Sequence, residues 1–198
     1  SYRNLPLIDF LPYKVGVHVA DQSTIPEGAK QDEYSTTFIY EKNGQQKEFT
    51  LENYPKGDST WTFVDQKTVL ISEGYRPAIE NFKIFDEHFV DIVPELLAYN
   101  GYSYLLIMHN CNLAAEKGAI AAEKIYQKTR NTNIRFYAIT ASNEVDIAQF
   151  IARTGVTFPW YTADPVMLKT IIRANPGMVL MKNAVIVGKW NWRDFLND

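Results

Sequence analysis

Between Tyr102 and Met108 the chain runs almost without a polar break, Tyr-Ser-Tyr-Leu-Leu-Ile-Met, after the turn-forming pair Asn100-Gly101. A strand that lacks polar/apolar alternation has no face to give to water, so it belongs inside a sheet covered on both sides. The residues beyond Met108 fit such a layered arrangement. Ala114 to Thr129 is rich in Ala, Glu, Lys, Ile and Gln and is predicted helical. Ile134 to Ile139 reads as a strand, and Glu144 to Arg153 as a helix capped by Ser142 or Asn143. Pro165 to Arg173 reads as a short helix with Asp164 as its cap and Pro165 at the first position. Met178 to Met181 and Val185 to Trp190 then close the pattern as a hairpin across Lys182-Asn183. Strands alternating with helices predict an α/β fold with a central sheet flanked by helices.

Upstream the pattern differs. Residues 1–33 show little periodicity and carry Pro6, Pro12 and Pro26, which predicts an extended segment. Thr36 to Tyr40 and Lys47 to Leu51 flank Asn43-Gly44, a strong hairpin turn signal. Trp61 to Val64 and Thr68 to Ile71 read as a second strand pair around Asp65-Gln66-Lys67. Phe82 to Phe85 and Phe89 to Ile92 resemble a short hairpin around Asp86-Glu87. The expected division is a β-rich N-terminal extension, residues 1–75, followed by the α/β domain, residues 76–198.

Charge and composition narrow the function classes. A net charge of -3, with no cluster of Lys and Arg, argues against a nucleic-acid partner. With 46% hydrophobic residues the chain can build a real core. A single cysteine excludes an intrachain disulfide and leaves the redox compartment open. No apolar run approaches the ~20 residues that span a bilayer. The chain opens on Ser1-Tyr2-Arg3 without an initiator Met, which reads as a piece of a longer protein.

Cys111 is the first candidate for chemistry. It sits where the apolar strand gives way to a helix-forming run, and a helix N-terminus lowers a thiol pKa and favours the thiolate. His109, two residues upstream, is close enough in sequence to share a strand face. The functional reading is a monothiol acting on disulfides or peroxides, and the bland reading is a small, semi-buried residue. His18, His88 and His109 are widely separated and lack ligand spacing, so no metal site is expected, and no cofactor. Asp86-Glu87-His88 reads as a solvated turn. Gly-x-Ser-x-Gly, Walker and Gly-x-Gly-x-x-Gly motifs are all missing from the sequence. The aromatic close, Trp190 to Phe195, is explained by packing or by a partner-binding edge.

From about Pro77 to Trp190 the chain resembles the TlpA and peroxiredoxin branch of the thioredoxin superfamily. The landmarks are the Pro77/Phe82 entry, the Tyr104-to-Met108 strand, Cys111, the segment Phe158-Pro159-Trp160-Tyr161-Thr162, and Pro176 before Val179-Leu180-Met181-Lys182-Asn183. The resemblance implies a thioredoxin-like fold in which Pro176 is cis and faces the helix after Cys111. Asn175 and Pro176 would then form a groove where Asn175 pairs with an extended peptide or protein partner. The sequence departs from the family at the active site. Ala114 stands where a Cys-x-x-Cys motif has its second sulfur, so a thiol–disulfide exchange would strand a mixed disulfide. Met108 and Ile107 stand where peroxiredoxins carry Thr and Pro.

Residues 5–16, Leu-Pro-Leu-Ile-Asp-Phe-Leu-Pro-Tyr-Lys-Val-Gly, are similar to the segment after the last membrane helix of DoxX-family proteins from Bacteroidetes-type bacteria. The stretches 48–55 and 171–177 are similar to the soluble part of the same proteins. This resemblance implies the soluble, periplasmic portion of a membrane-anchored protein, with the membrane-embedded part of the same polypeptide as a partner. Three readings stand at this point: a redox-inactive accessory or binding domain, a monothiol oxidoreductase using Cys111, and a domain that only positions the membrane part.

Overall fold

A computed structural model describes residues 12–196. In chain order its elements are α1 (Val19–Ser23), β1 (Glu33–Lys42), β2 (Gln45–Thr50), β3 (Thr62–Ser72), α2 (Val93–Ala98), β4 (Tyr102–Met108), a single 3₁₀ turn (Cys111–Leu113), and α3 (Glu116–Thr129). There follow β5 (Arg135–Thr140), α4 (Glu144–Thr154), β6 (Trp160–Thr162), α5 (Pro165–Ile171), β7 (Gly177–Lys182) and β8 (Val185–Asn191). They form two compact units, one of residues 25–76 and one that joins residues 12–24 to residues 77–196.

The larger unit is thioredoxin-like by topology. Its five-stranded sheet has the order β6-β5-β4-β7-β8, with β4, β5 and β6 parallel and β7 and β8 antiparallel. The apolar run of β4 lies at its centre, as its composition requires. Because side chains alternate across a strand, β4 feeds two cores at once. Leu105 and Ile107 join a cluster with Leu96, Ile139, Leu168, Ile171 and Val179. Leu106 and Met108 join another with Ala119, Ala122, Ala138, Phe150 and Phe158. Each fully buried Leu, Ile, Met or Phe contributes roughly 1.5–3 kcal/mol, so the loss of either layer would be decisive.

Local chemistry sets the helix ends. Asn143 caps α4 by accepting from Asp146 N at 2.9 Å, and Gly155 ends it at φ 69°, a left-handed position that glycine fills without strain. Asp164 caps α5 through two bonds, to Val166 N and Met167 N. Helix α3 begins at Glu116, two residues later than expected, because the 3₁₀ turn is followed by extended backbone at Ala114 and Ala115. Its buried face is small, Gly118, Ala119, Ala121 and Ala122, which lets the backbone approach the sheet closely.

Residues 12–24 belong with this unit, whereas the expected division put them in the extension of residues 1–75. Val19 is fully buried and Tyr13 is nearly so. Gly16 N donates to Ile186 O, Ile186 N to Val17 O, and Val19 N to Ala184 O, so the segment runs along the outer edge of β8. The hairpin expected over residues 82–92 reduces to one bridge, Phe85 with Asp91, while Phe85 also pairs with Thr162, the last residue of β6.

The smaller unit is a three-stranded antiparallel sheet of order β2-β1-β3. The Asn43-Gly44 hairpin is present, both residues at positive φ (53° and 76°) as the tight turn demands. Asp65-Gln66-Lys67 is not a turn. Those residues pair in register with Ile39, Phe38 and Thr37 inside one continuous strand. Polar side chains are tolerated there because β3 is an edge with ten of its eleven positions exposed. An irregularity between Ile39 and Tyr40 absorbs the extra residue Val64.

Candidate functional site

The C-terminal end of β4 delivers Cys111 to the start of the 3₁₀ turn, five residues before α3 begins. The turn is built by Asn110, whose Oδ1 accepts from Asn112 N at 2.9 Å and Leu113 N at 3.2 Å. Asn112 in turn donates to Asp146 Oδ1 at 2.9 Å, tying the turn to α4. Cys111 therefore does not occupy the tip of the long helix that the sequence pattern placed it on.

Its environment is closed. The residue is 0% exposed and packs with Met108, Ala119, Phe150 and Phe158. Burial pushes the thiol above its ordinary value, and the nearby hydroxyls of Thr140 and Ser142 recover only part of that shift. Thr140 Oγ1 lies 3.5 Å from Sγ, and Ser142 Oγ accepts from Cys111 N at 2.9 Å. The expected lowering of the thiol pKa is thus reversed, because removal from water outweighs the hydrogen bonds. His109 gives no help. Its half-buried ring bonds the backbone of Arg173, and burial holds its pKa below the ordinary imidazole value.

The Asn175–Pro176 bond is cis, as expected. At the groove it was expected to line, the Asn175 carbonyl and side-chain amide nitrogen bond within the chain. Asn175 O accepts from Ala115 N at 3.0 Å, and Asn175 Nδ2 donates to Asn110 O at 2.8 Å. Pro176 is buried. Beside it lies Trp192, the residue that follows β8. A β-carbon added to Gly118 would stand 2.5 Å from Trp192 Cβ and 3.0 Å from Pro176 Cγ. Trp192, part of the aromatic close for which the sequence offers packing or a partner-binding edge, is the residue that covers α3 beside Pro176. Only its position two residues past Trp190, at the strand's end, hinted at that role.

The titratable groups elsewhere assemble no second centre. Among the described residues no three His, Cys, Asp or Glu side chains gather as metal ligands. No helix among them is long and apolar enough to cross a membrane. Asp86-Glu87-His88 is a turn in which Asp86 Oδ1 accepts from His88 N and Val90 N.

A family model described as a domain of unknown function (DUF8463) matches residues 34–73, a span that coincides with the three-stranded sheet. No curated protein matches the sequence. Among solved structures the chain is similar to the thioredoxin domain of a thiol-disulfide oxidoreductase from Bacteroides vulgatus, at 14% identity and a TM-score of 0.45, covering 59% of this chain and 88% of that one. StoA from Bacillus subtilis gives 14% identity, a TM-score of 0.43, and coverage of 59% and 93%. PrxQ from Xylella fastidiosa gives 14%, 0.43, and coverage of 59% and 86%.

Proposed function

We propose that this chain is a redox-inactive thioredoxin-like domain serving as an accessory module of a larger protein. The observation that carries the reading is the state of its one thiol, fully buried and with its pKa raised. A nucleophilic thiolate needs exposure and a lowered pKa, and a dithiol cycle needs a second sulfur, which Ala114 does not supply. The monothiol reading requires a reagent to reach a side chain that the folded domain covers. Nor does the Asn175 carbonyl offer an edge to an extended partner, since Ala115 already occupies it. An accessory role therefore works through another surface.

We further propose that the module is the soluble, periplasmic part of a DoxX-type membrane-anchored protein. The sequence similarity of residues 5–16, 48–55 and 171–177 supports this. Most of the first of these segments lies outside the described residues.

Maleimide labelling of the native domain at neutral pH tests the redox reading. Labelling should proceed only as fast as the domain unfolds, and Cys111→Ala should match the wild type in a disulfide-reductase assay. Rapid labelling of the folded state, or a reductase activity lost in Cys111→Ala, overturns it. For the anchoring, the full-length gene product should stay with the membrane pellet after alkaline carbonate washing. Its appearance in the soluble fraction would refute that part.

A further inference from the structure

The sheet of residues 25–76 contains no buried residue at all. One of its faces carries an aromatic cluster: Tyr40 meets Phe49 and Phe63 at 5.8 and 5.6 Å, and Phe49 meets Trp61 at 5.1 Å. These rings hold the three strands together, yet Phe63 remains 52% exposed. Strand β3 forms one border of the sheet, and its outer end is the contiguous run Val69, Leu70 and Ile71, exposed by 62%, 40% and 66%. A long apolar edge strand without proline is a template for pairing with another strand. Such an addition would supply the burial that this sheet lacks alone.

The sequence of that edge selects its partner. Asp65 and Lys67 flank Gln66 at the middle of β3, with opposite charges two residues apart on the same face. Gln66 N donates to Asp65 Oδ1 rather than to β1, so its amide faces the open side of the strand, and pairing there trades this local bond for one to the partner's backbone. When a strand pairs antiparallel with a copy of itself about Gln66, each Asp65 falls opposite Lys67 of the partner subunit. The two Gln66 backbones then exchange hydrogen bonds at the twofold axis. The apolar run after Thr68 lies along the Phe63–Val64 end of the other strand. Lys67 already reaches Glu48 within its own sheet at 3.8 Å, a loose and exposed contact. The new pair would extend this into a line of alternating charge across the joined sheet. A parallel in-register pairing, or an antiparallel one centred on Lys67, sets Lys67 against Lys67 of the partner subunit, and other antiparallel shifts set it against uncharged residues, so none gains this.

We propose that β3 is a dimerisation edge that joins two copies of this chain into one continuous six-stranded sheet. Light scattering of the 198-residue chain at about 100 μM should give the mass of a dimer. Lys67→Asp sets like charges opposite each other twice and should weaken dimerisation about tenfold or more. The swap Asp65→Lys/Lys67→Asp restores both pairs and should restore the dimer. Gln66→Pro removes the outward amide at a position where an edge strand accepts proline, and should give a monomer with unchanged aromatic circular dichroism. A monomeric wild type overturns the proposal, as does a dimer that survives both Gln66→Pro and Lys67→Asp. So does a charge swap that stays monomeric while folded. Where Lys67→Asp fails to fold, Asp65→Lys supplies the same reversal of charge.

Discussion

Ala115 N donates to Asn175 O at 3.0 Å, so the residue that opens α3 is bonded to the residue that precedes the cis proline. In a fold whose binding edge would lie at that carbonyl, the chain satisfies the edge itself. Trp192 lies over Gly118 beside Pro176, and Cys111 is itself fully buried, so this region is an interior rather than a cleft.

Gly118 should resist the smallest substitution. In a free helix Gly→Ala gains up to about 1 kcal/mol. Here the added carbon meets Trp192 Cβ, an atom that moves only with its backbone. Gly118→Ala is expected to cost about 1–3 kcal/mol of stability in urea unfolding. A neutral or stabilised variant would show that Trp192 does not close on α3.

Thr140 anchors the turn that carries the cysteine. It is fully buried, and its Oγ1 accepts from Ser142 N at 3.1 Å while Ser142 Oγ accepts from Cys111 N. Thr140→Val keeps the volume and strands the Ser142 amide. The expected cost is about 1–2 kcal/mol, with faster hydrogen exchange at the Ser142 and Cys111 amides. Unchanged exchange at those two amides would remove the turn's dependence on Thr140.

Stability should fall on the alkaline side. Burial raises the pKa values of Tyr13, Tyr137 and Tyr161 as well as that of Cys111. Each group is neutral when protonated, so its contribution is fully present below the unfolded value and is lost as pH rises toward the folded one. For the thiol the loss begins near about 8.5 and for the phenols near about 10. The urea midpoint should hold steady through neutrality and decline above roughly pH 9. Cys111→Ala should postpone the start of that decline, and a flat profile to pH 11 (about one unit past the free phenol value) would contradict the burial of these side chains.

Asp32 should titrate far below an ordinary carboxylate. Arg76 holds it with Nη2 at 2.7 and 2.8 Å from its two oxygens, and Gly74 N donates at 2.8 Å, so its pKa drops to about 2. Its stabilising effect is present above the free carboxylate value and is lost as pH falls toward about 2. Carboxyl-detected NMR titration should find that midpoint. Arg76→Gln should move it part of the way back, leaving the Gly74 contribution, and an unmoved midpoint would exclude the ion pair as the main cause.

Where neighbours in sequence settle the matter, the elements were legible. The Asn43-Gly44 turn, the Asn143 and Asp164 caps and the unbroken apolar strand β4 are local statements, and each appears within a residue or two of its expected place. Asp65-Gln66-Lys67 was misread because a polar triplet is a turn signal only until a long strand lies beside it. The pairing with Thr37, Phe38 and Ile39 supplies backbone partners that no local window contains.

By itself the sequence determined an α/β unit with a single thiol after its central strand and no second sulfur beside it. The tertiary structure alone decided that this thiol is sealed. Its fate rests on Ala119, Phe150 and Phe158, which pack around it, and on Thr140 and Ser142, about thirty positions away, which bond it. A pKa is set by how much water and charge surround a group, and only the folded chain fixes those neighbours.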